Sequence, residues 1–306
     1  MSEPKLNHVF CPDGGTGHRM AYWDWGLESA RHVVLCVHGL TRQGRDFDVL
    51  AQALVARAAQ AGTTVRVICP DVVGRGQSDW LTDPHGYQVP NYAMDMLELL
   101  KGLQAGGVQR VDWVGTSMGG LIGMTVCGQT RVPLPVPIHR MVLNDVGPVI
   151  EWPAIVRIGT YLDRIPQFES LQEAADAMWT TSSTFGPHTP QQWLELSRHM
   201  VKPVLGVPDA LTLHYDPGIA VPFAAMTPEL AERELGAVAL WGLYDAIRAQ
   251  VLLLRGAQSD LLSPETARLM TQRGPRARLV EFAGVGHAPT LIAPDQVQVV
   301  VDFLLD

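Results

Sequence analysis

The chain has 306 residues, 47% of them hydrophobic, and a formal net charge of −8 at pH 7. That length suits one large α/β domain or one domain with an insertion, and the apolar content supports a large core and excludes a disordered chain. The negative balance, without any run of like charge, argues against a nucleic-acid groove, which needs a basic stripe.

In chain order, residues 6–25 read as two strands with a turn at Pro12-Asp13-Gly14-Gly15. Val33-Val34-Leu35-Cys36-Val37 is a continuous apolar run, the pattern of a strand covered on both faces. A helix is expected over 46–61, a strand over 64–69 and a helix from Asn91 to Leu103, after Pro90. Strand 110–114 leads into a buried helix, and strand 140–144 follows. The alternation then breaks at Val146-Gly147-Pro148. Residues 149–235 contain helical segments, no convincing strand, and the large side chains Trp152, Tyr161, Phe168, Trp179, Phe185, Trp193 and Met200. Strand 251–255, helix 264–273, strand 277–282 and helix 294–305 resume the pattern. Such alternation predicts a doubly wound, mostly parallel sheet with right-handed crossovers, and an inserted helical cap. In such sheets ligands sit at the carboxyl ends of the strands, where Ser117 and the loops after residues 37, 69, 144 and 255 are expected.

Gly115-Thr116-Ser117-Met118-Gly119 lies between the strand and the buried helix. A serine on that sharp turn projects its hydroxyl above the sheet edge, and the glycines permit the turn. A hydroxyl is a poor nucleophile until a base takes its proton. His287, in Gly284-Val285-Gly286-His287 between the last strand and the last helix, is the candidate base. The base needs an acid to fix its tautomer. Asp260, just past the penultimate strand, is the first candidate, and Asp145, at the end of the strand after the elbow, competes with it. An oxyanion needs backbone donors; the Met118 N–H and the Leu40 N–H of Val37-His38-Gly39-Leu40 are the candidates, with His38 as a support of that loop.

Other features have plainer readings. The Asp71–Asp79 loop is expected to hold itself together through local bonds. Arg42 or Arg45 could meet a substrate carboxylate, although paired surface arginines are commoner. Two or three of the cap side chains are expected to face substrate. Gly39, Trp152 and Trp179 are the candidates for substrate contact, and the remainder hold the cap together. His188, His199 and His214 have no metal-ligand spacing, and Gly14-Gly15-Thr16-Gly17 lacks the ending of a phosphate loop. The cysteines Cys11, Cys36, Cys69 and Cys127 form no Cys-x-x-Cys pair, so neither zinc nor a disulfide framework is indicated. No stretch approaches the roughly 20 apolar residues of a membrane span. No apolar segment follows Met1–Lys5 as a signal peptide would, so cytoplasmic residence is expected.

Together, His38-Gly39-Leu40, Asp71–Asp79, Gly115–Gly120, Gly256–Asp260 and Gly286-His287 resemble the α/β-hydrolase superfamily of the cap-bearing esterase type, over about residues 20 to 306. The resemblance implies an eight-stranded sheet, with a core of 1–147 and 236–306 and a cap of 148–235. It implies the order Ser117, Asp260, His287. It also implies a cofactor-free and metal-free serine hydrolase acting on a small to medium ester with a mostly apolar acyl part, with hydroxyacid oligomers or polyesters among the candidate substrates. Monomer and homodimer remain open. A C–C hydrolase, lactonase or thioesterase would share these residues, and a ligand-binding relative with an idle serine is the reading from another class. A serine at this position argues against a dehalogenase or epoxide hydrolase, which need a carboxylate there.

Overall fold

The computed structural model describes residues 3–130, 133–224 and 237–306. One sheet of eight strands comprises β1 (Lys5–Cys11), β2 (His18–Gly26), β3 (His32–Val37), β4 (Arg66–Pro70), β5 (Arg110–Thr116), β6 (Ile138–Asn144), and two late strands, Gln250–Gly256 and Arg278–Phe282. The cap segment contributes three short strands of its own, β7 (Gln167–Phe168), β8 (Val201–Pro203) and β9 (Leu211–Leu213), so the late strands are β10 and β11. The sheet order is β1-β2-β4-β3-β5-β6-β10-β11. β2 alone runs against its neighbours, and all other pairings from β4 to β11 are parallel.

Residue alternation explains why both faces of this sheet are covered. In β3, Val33, Leu35 and Val37 enter one apolar core, and Val34 and Cys36 enter the other. β10 divides the same way, with Val251 and Leu253 on one side and Leu252 and Leu254 on the other. The period of two thus sends every second side chain to an opposite face, and a continuous apolar run results when both are buried. Helix α1 (Asp48–Gln60) and the C-terminal helix Pro294–Leu305 cover the Val34 side. Helices α2 (Val89–Ala105), α3 (Met118–Gly128), Ala237–Ala246 and Pro264–Met270 cover the Val33 side. Helix α2 begins before Pro90 rather than after it, because proline is tolerated in a first turn whose N–H has no intrahelical partner.

Between β6 and β10 lie α4 (Trp152–Gly159), α5 (Leu171–Ser182), α6 (Pro190–Arg198) and the short α7 (Val221–Ala224); the three later helices are therefore α8, α9 and α10. Ala154, Ile158 and Leu162 join the core on the Val33 side, whereas Ala175, Trp193 and Leu196 form a separate apolar cluster joining α5 to α6. The expectation of a strandless cap needs correction, since β7, β9 and β8 form a small antiparallel sheet. Strands of two or three residues are too short for alternation to be visible in a sequence. The expected boundary at 235/236 lies outside the described residues. No described helix is long and apolar enough to cross a membrane.

Candidate active site

β5 ends at Thr116 and α3 starts at Met118, so Ser117 alone makes the turn, at φ +51° and ψ −117°. This left-handed backbone is costly for a residue with a Cβ. Its neighbours explain how the turn is accommodated. A Cβ on Gly115 would lie 2.4 Å from the Gly119 carbonyl oxygen, and one on Gly119 would lie 2.0 Å from the Val37 carbonyl oxygen. Glycine is needed at both places because backbone passes directly over them.

The Ser117 hydroxyl lies 2.9 Å from His287 Nε2. His287 Nδ1 lies 2.7 Å from Asp145 Oδ2. An ionised carboxylate only accepts, so Nδ1 carries the proton and Nε2 offers its lone pair to the serine hydroxyl. Asp145 is fully buried and also accepts from the Gly256 N–H at 2.9 Å and the Ser259 hydroxyl at 2.6 Å. Its own backbone takes positive φ, +56°, at the end of β6. Beside it, Asn144 donates to Thr116 Oγ1 and to the Pro289 carbonyl, which ties β5, β6 and the loop after His287 together.

The expected contact between Asp260 and His287 is absent. Asp260 instead forms a two-pronged ion pair with Arg157 of α4, at 2.8 and 3.0 Å. The reason is one residue of register. After β10 it is Ser259 that turns inward onto Asp145, so the next side chain points outward, with 44% of it exposed.

The backbone N–H groups of Leu40, which shares a cavity wall with Ser117, and of Met118, the residue after it, donate to no protein acceptor among the described residues. The Leu40 carbonyl is held by the Arg75 guanidinium at 2.8 Å. Arg75 is fully buried, reaches Val73 O and Tyr92 Oη, approaches Met118 Sδ at 3.8 Å, and lies against the rings of Tyr87 and Tyr92. Sequence reading missed this residue; an arginine in a glycine-rich loop carries no signal of burial.

His38 accepts from the Val72 N–H through Nε2 and donates from Nδ1 to the Gly39 carbonyl. Complete burial pushes its pKa down to about 3, so it is a neutral support of the Gly39–Leu40 loop. The Asp71 carboxylate accepts from one N–H of its own loop, that of Gln77, and also reaches beyond the expected local bonds to the Gly44 N–H and the Trp23 indole N–H. Arg42 forks onto Asp46, and Arg45 pairs with Asp48 and Glu3.

Ser117 and His287 open into a cavity of about 120 Å³. Gly39 lines it as expected, but Trp152 and Trp179 do not. Trp179 packs edge-on against Trp193 and belongs to the α5–α6 cluster, and Trp152 is the first residue of α4. Three of the large cap side chains do line it: Tyr161, Phe185 and Met200. Which face of a cap helix meets the core is a tertiary matter, so composition could give the number but not the members. Cap and core meet beside the imidazole, where the Gly286 N–H donates to Thr184 O and Thr184 Oγ1 donates to His287 O.

One further group, Cys11, His18 and Asp95, has the ligand atoms for a metal ion within 4.8 Å of one another. It joins β1 and β2, at one edge of the sheet, to helix α2, with β4 and β3 between that edge and β5. There His18 Nε2 is already hydrogen-bonded to Asp95 at 3.1 Å.

The sequence profile of the alpha/beta hydrolase family matches residues 34–302. A 3-hydroxybutyrate-oligomer hydrolase from Cupriavidus necator is 46% identical over 304 residues, covering 99% of this chain and 98% of the relative. The crystal structure of an alpha/beta hydrolase from Novosphingobium aromaticivorans is 33% identical, covers 99% of both chains and superposes with a TM-score of 0.79. The thioesterase domain from the curacin biosynthetic pathway shares the fold, with a TM-score of 0.72 at 22% identity over 99% of this chain and all of that one.

Proposed function

This chain belongs to the alpha/beta hydrolase family, and we propose that it is a serine hydrolase cleaving short carboxylic esters of hydroxyacids through an acyl-enzyme. The observation that carries the reading is the hydrogen-bonded chain from Ser117 through His287 to Asp145. In this reading His287 Nε2 takes the hydroxyl proton as Ser117 Oγ attacks the ester carbonyl. Asp145, rather than Asp260, holds the imidazole tautomer and balances the imidazolium that forms. The Leu40 and Met118 N–H groups receive the oxyanion. His287 then protonates the leaving alcohol, the acyl group stays on Ser117, and water deprotonated by His287 releases the acid.

The substrate class rests on two supports. The cavity wall is mostly apolar, with Ile158, Tyr161, Met178, Phe185 and Leu213 among its residues. The 46% identical relative carries the name of a 3-hydroxybutyrate-oligomer hydrolase. The division into a core of 1–147 and 236–306 and a cap of 148–235 belongs to the same proposal, with the cap setting acyl size.

The test is turnover of p-nitrophenyl esters of increasing chain length beside a Ser117→Ala control. Ser117→Ala is expected to lower kcat by roughly a millionfold, as removal of a serine nucleophile does. Turnover that survives this substitution, or no ester turnover at all, overturns the reading.

A further inference from the structure

The cavity wall carries two arginines, Arg42 and Arg157, and no aspartate or glutamate among its described residues. Each is paired with a carboxylate that stands outside the wall, Arg42 with Asp46 and Arg157 with Asp260. A guanidinium presents a planar fork that matches a carboxylate with two parallel hydrogen bonds.

The two arginines differ in how firmly they are held. Arg42 is 11% exposed, forks onto Asp46 at 2.6 and 2.7 Å, and also donates to the Leu196 carbonyl. Asp46 lines the adjoining small cavity, so the Arg42 charge is answered where it stands. Arg157 is 35% exposed and its partner Asp260 is 44% exposed. Both partners stay in contact with water, which screens the pair, and an incoming carboxylate offers the Arg157 fork the same two oxygens that Asp260 does. Tyr161, on the same wall, places its hydroxyl beside the Arg157 guanidinium.

We propose that Arg157 anchors a free carboxylate of the substrate, displacing Asp260 from its guanidinium. The enzyme then selects esters whose leaving alcohol is itself a hydroxyacid with an ionised end, and it cuts from that end. This rests on the esterase reading of the Ser117 site. It gives Asp260 a task, which is to hold the Arg157 fork in place until substrate arrives. Arg157 is a binding residue here and touches no reacting atom.

The decisive measurement separates binding from turnover. Full-length Ser117→Ala protein is titrated calorimetrically with the linear dimer of 3-hydroxybutyrate as the free acid and as its methyl ester. The free acid is expected to bind at least about tenfold tighter, and Arg157→Gln in the same background to remove that preference, with Arg157→Lys restoring part of it. Asp260→Asn, which removes the competitor, is expected to tighten the free acid by up to about fivefold. Equal binding of the two ligands overturns the proposal. So does a preference that survives Arg157→Gln or is lost instead in Arg42→Gln. A second arm, the ratio of kcat/KM for free acid over methyl ester with Ser117 intact, is expected to fall by about tenfold in Arg157→Gln. If neither ester is hydrolysed the esterase reading fails, and the binding arm still decides the role of Arg157.

Discussion

Ser117 and Asp145 both stand at positive φ, +51° and +56°, without being glycine. Such backbone costs about 1–3 kcal/mol per residue and persists only where surroundings overdetermine it. Both positions are strand ends that aim a polar side chain at His287. The two carboxylates weighed as partners of this histidine make the sharpest prediction. Asp145→Asn is expected to lower kcat by about a thousandfold to ten-thousandfold, because the imidazole then adopts the wrong tautomer. Asp260→Asn is expected to cost less than about tenfold on uncharged p-nitrophenyl butyrate, since its partner is Arg157. Steady-state kinetics of the two variants decide between the acids, and the opposite ranking would restore Asp260. Arg75 is the other residue of consequence. Its guanidinium holds the Leu40 carbonyl, and the N–H of that same residue is the proposed oxyanion donor. Arg75→Lys is expected to lower kcat by about tenfold to a hundredfold with little change in KM, a fraction of what loss of an oxyanion donor costs. A rise in KM alone would mark it as a packing residue.

Elements differ in how they respond to acid. The cap histidines His188, His199 and His214 all have pKa values lowered first by burial, His199 to about 4. Their folded values lie below the unfolded value of about 6.5. The unfolded cap therefore binds more protons between those limits, and cap stability is lost as pH falls from about 6.5 towards 4. Asp48 and Asp71 act in the opposite sense, since burial raises both to about 6. They stabilise the fold as pH falls from about 6 to 3.8, so the readout has to be local. Hydrogen exchange is expected to speed up in α5 and α6 between pH 6.5 and 4.5, after correction for intrinsic rates, and not in β3 or β10. Uniform protection across that range would refute this. The contact between His188 Nε2 and Thr290 Oγ1 places one of these groups on the cap–core seam, beside the His287 loop.

For the whole molecule, stability resides in the two cores on either face of the sheet. Leu253 is fully buried in the larger one, and Leu205, between β8 and β9, is fully exposed. Leu253→Ala is expected to destabilise by about 2–5 kcal/mol, through lost transfer energy and the cavity left behind. Leu205→Ala is expected to stay within about 0.5 kcal/mol of the parent. Urea unfolding measures both, and comparable losses would mean that the Leu205 side chain is covered in solution.

Most of this architecture was legible in local pattern. The apolar runs of β3 and β10, the Gly115–Gly119 turn and the glycine-flanked His287 each depend on residues within a few positions of one another. Burial on both faces makes a run apolar, and a strand-to-helix turn under passing backbone demands glycine. Those signals are written in the sequence wherever the element occurs. The choice between Asp145 and Asp260 was not, because it turns on whether residue 259 or residue 260 points inward after β10. That orientation is set by contacts of Asp145, at the end of β6, with the end of β10 and with His287, each more than 100 positions away in the chain. The cavity wall was hidden for the same reason. Tyr161, Phe185 and Met200 face Ser117 while Trp179 packs inward on Trp193, and only the packing of cap on core, with each helix rotated to bury its apolar stripe, distributes those roles.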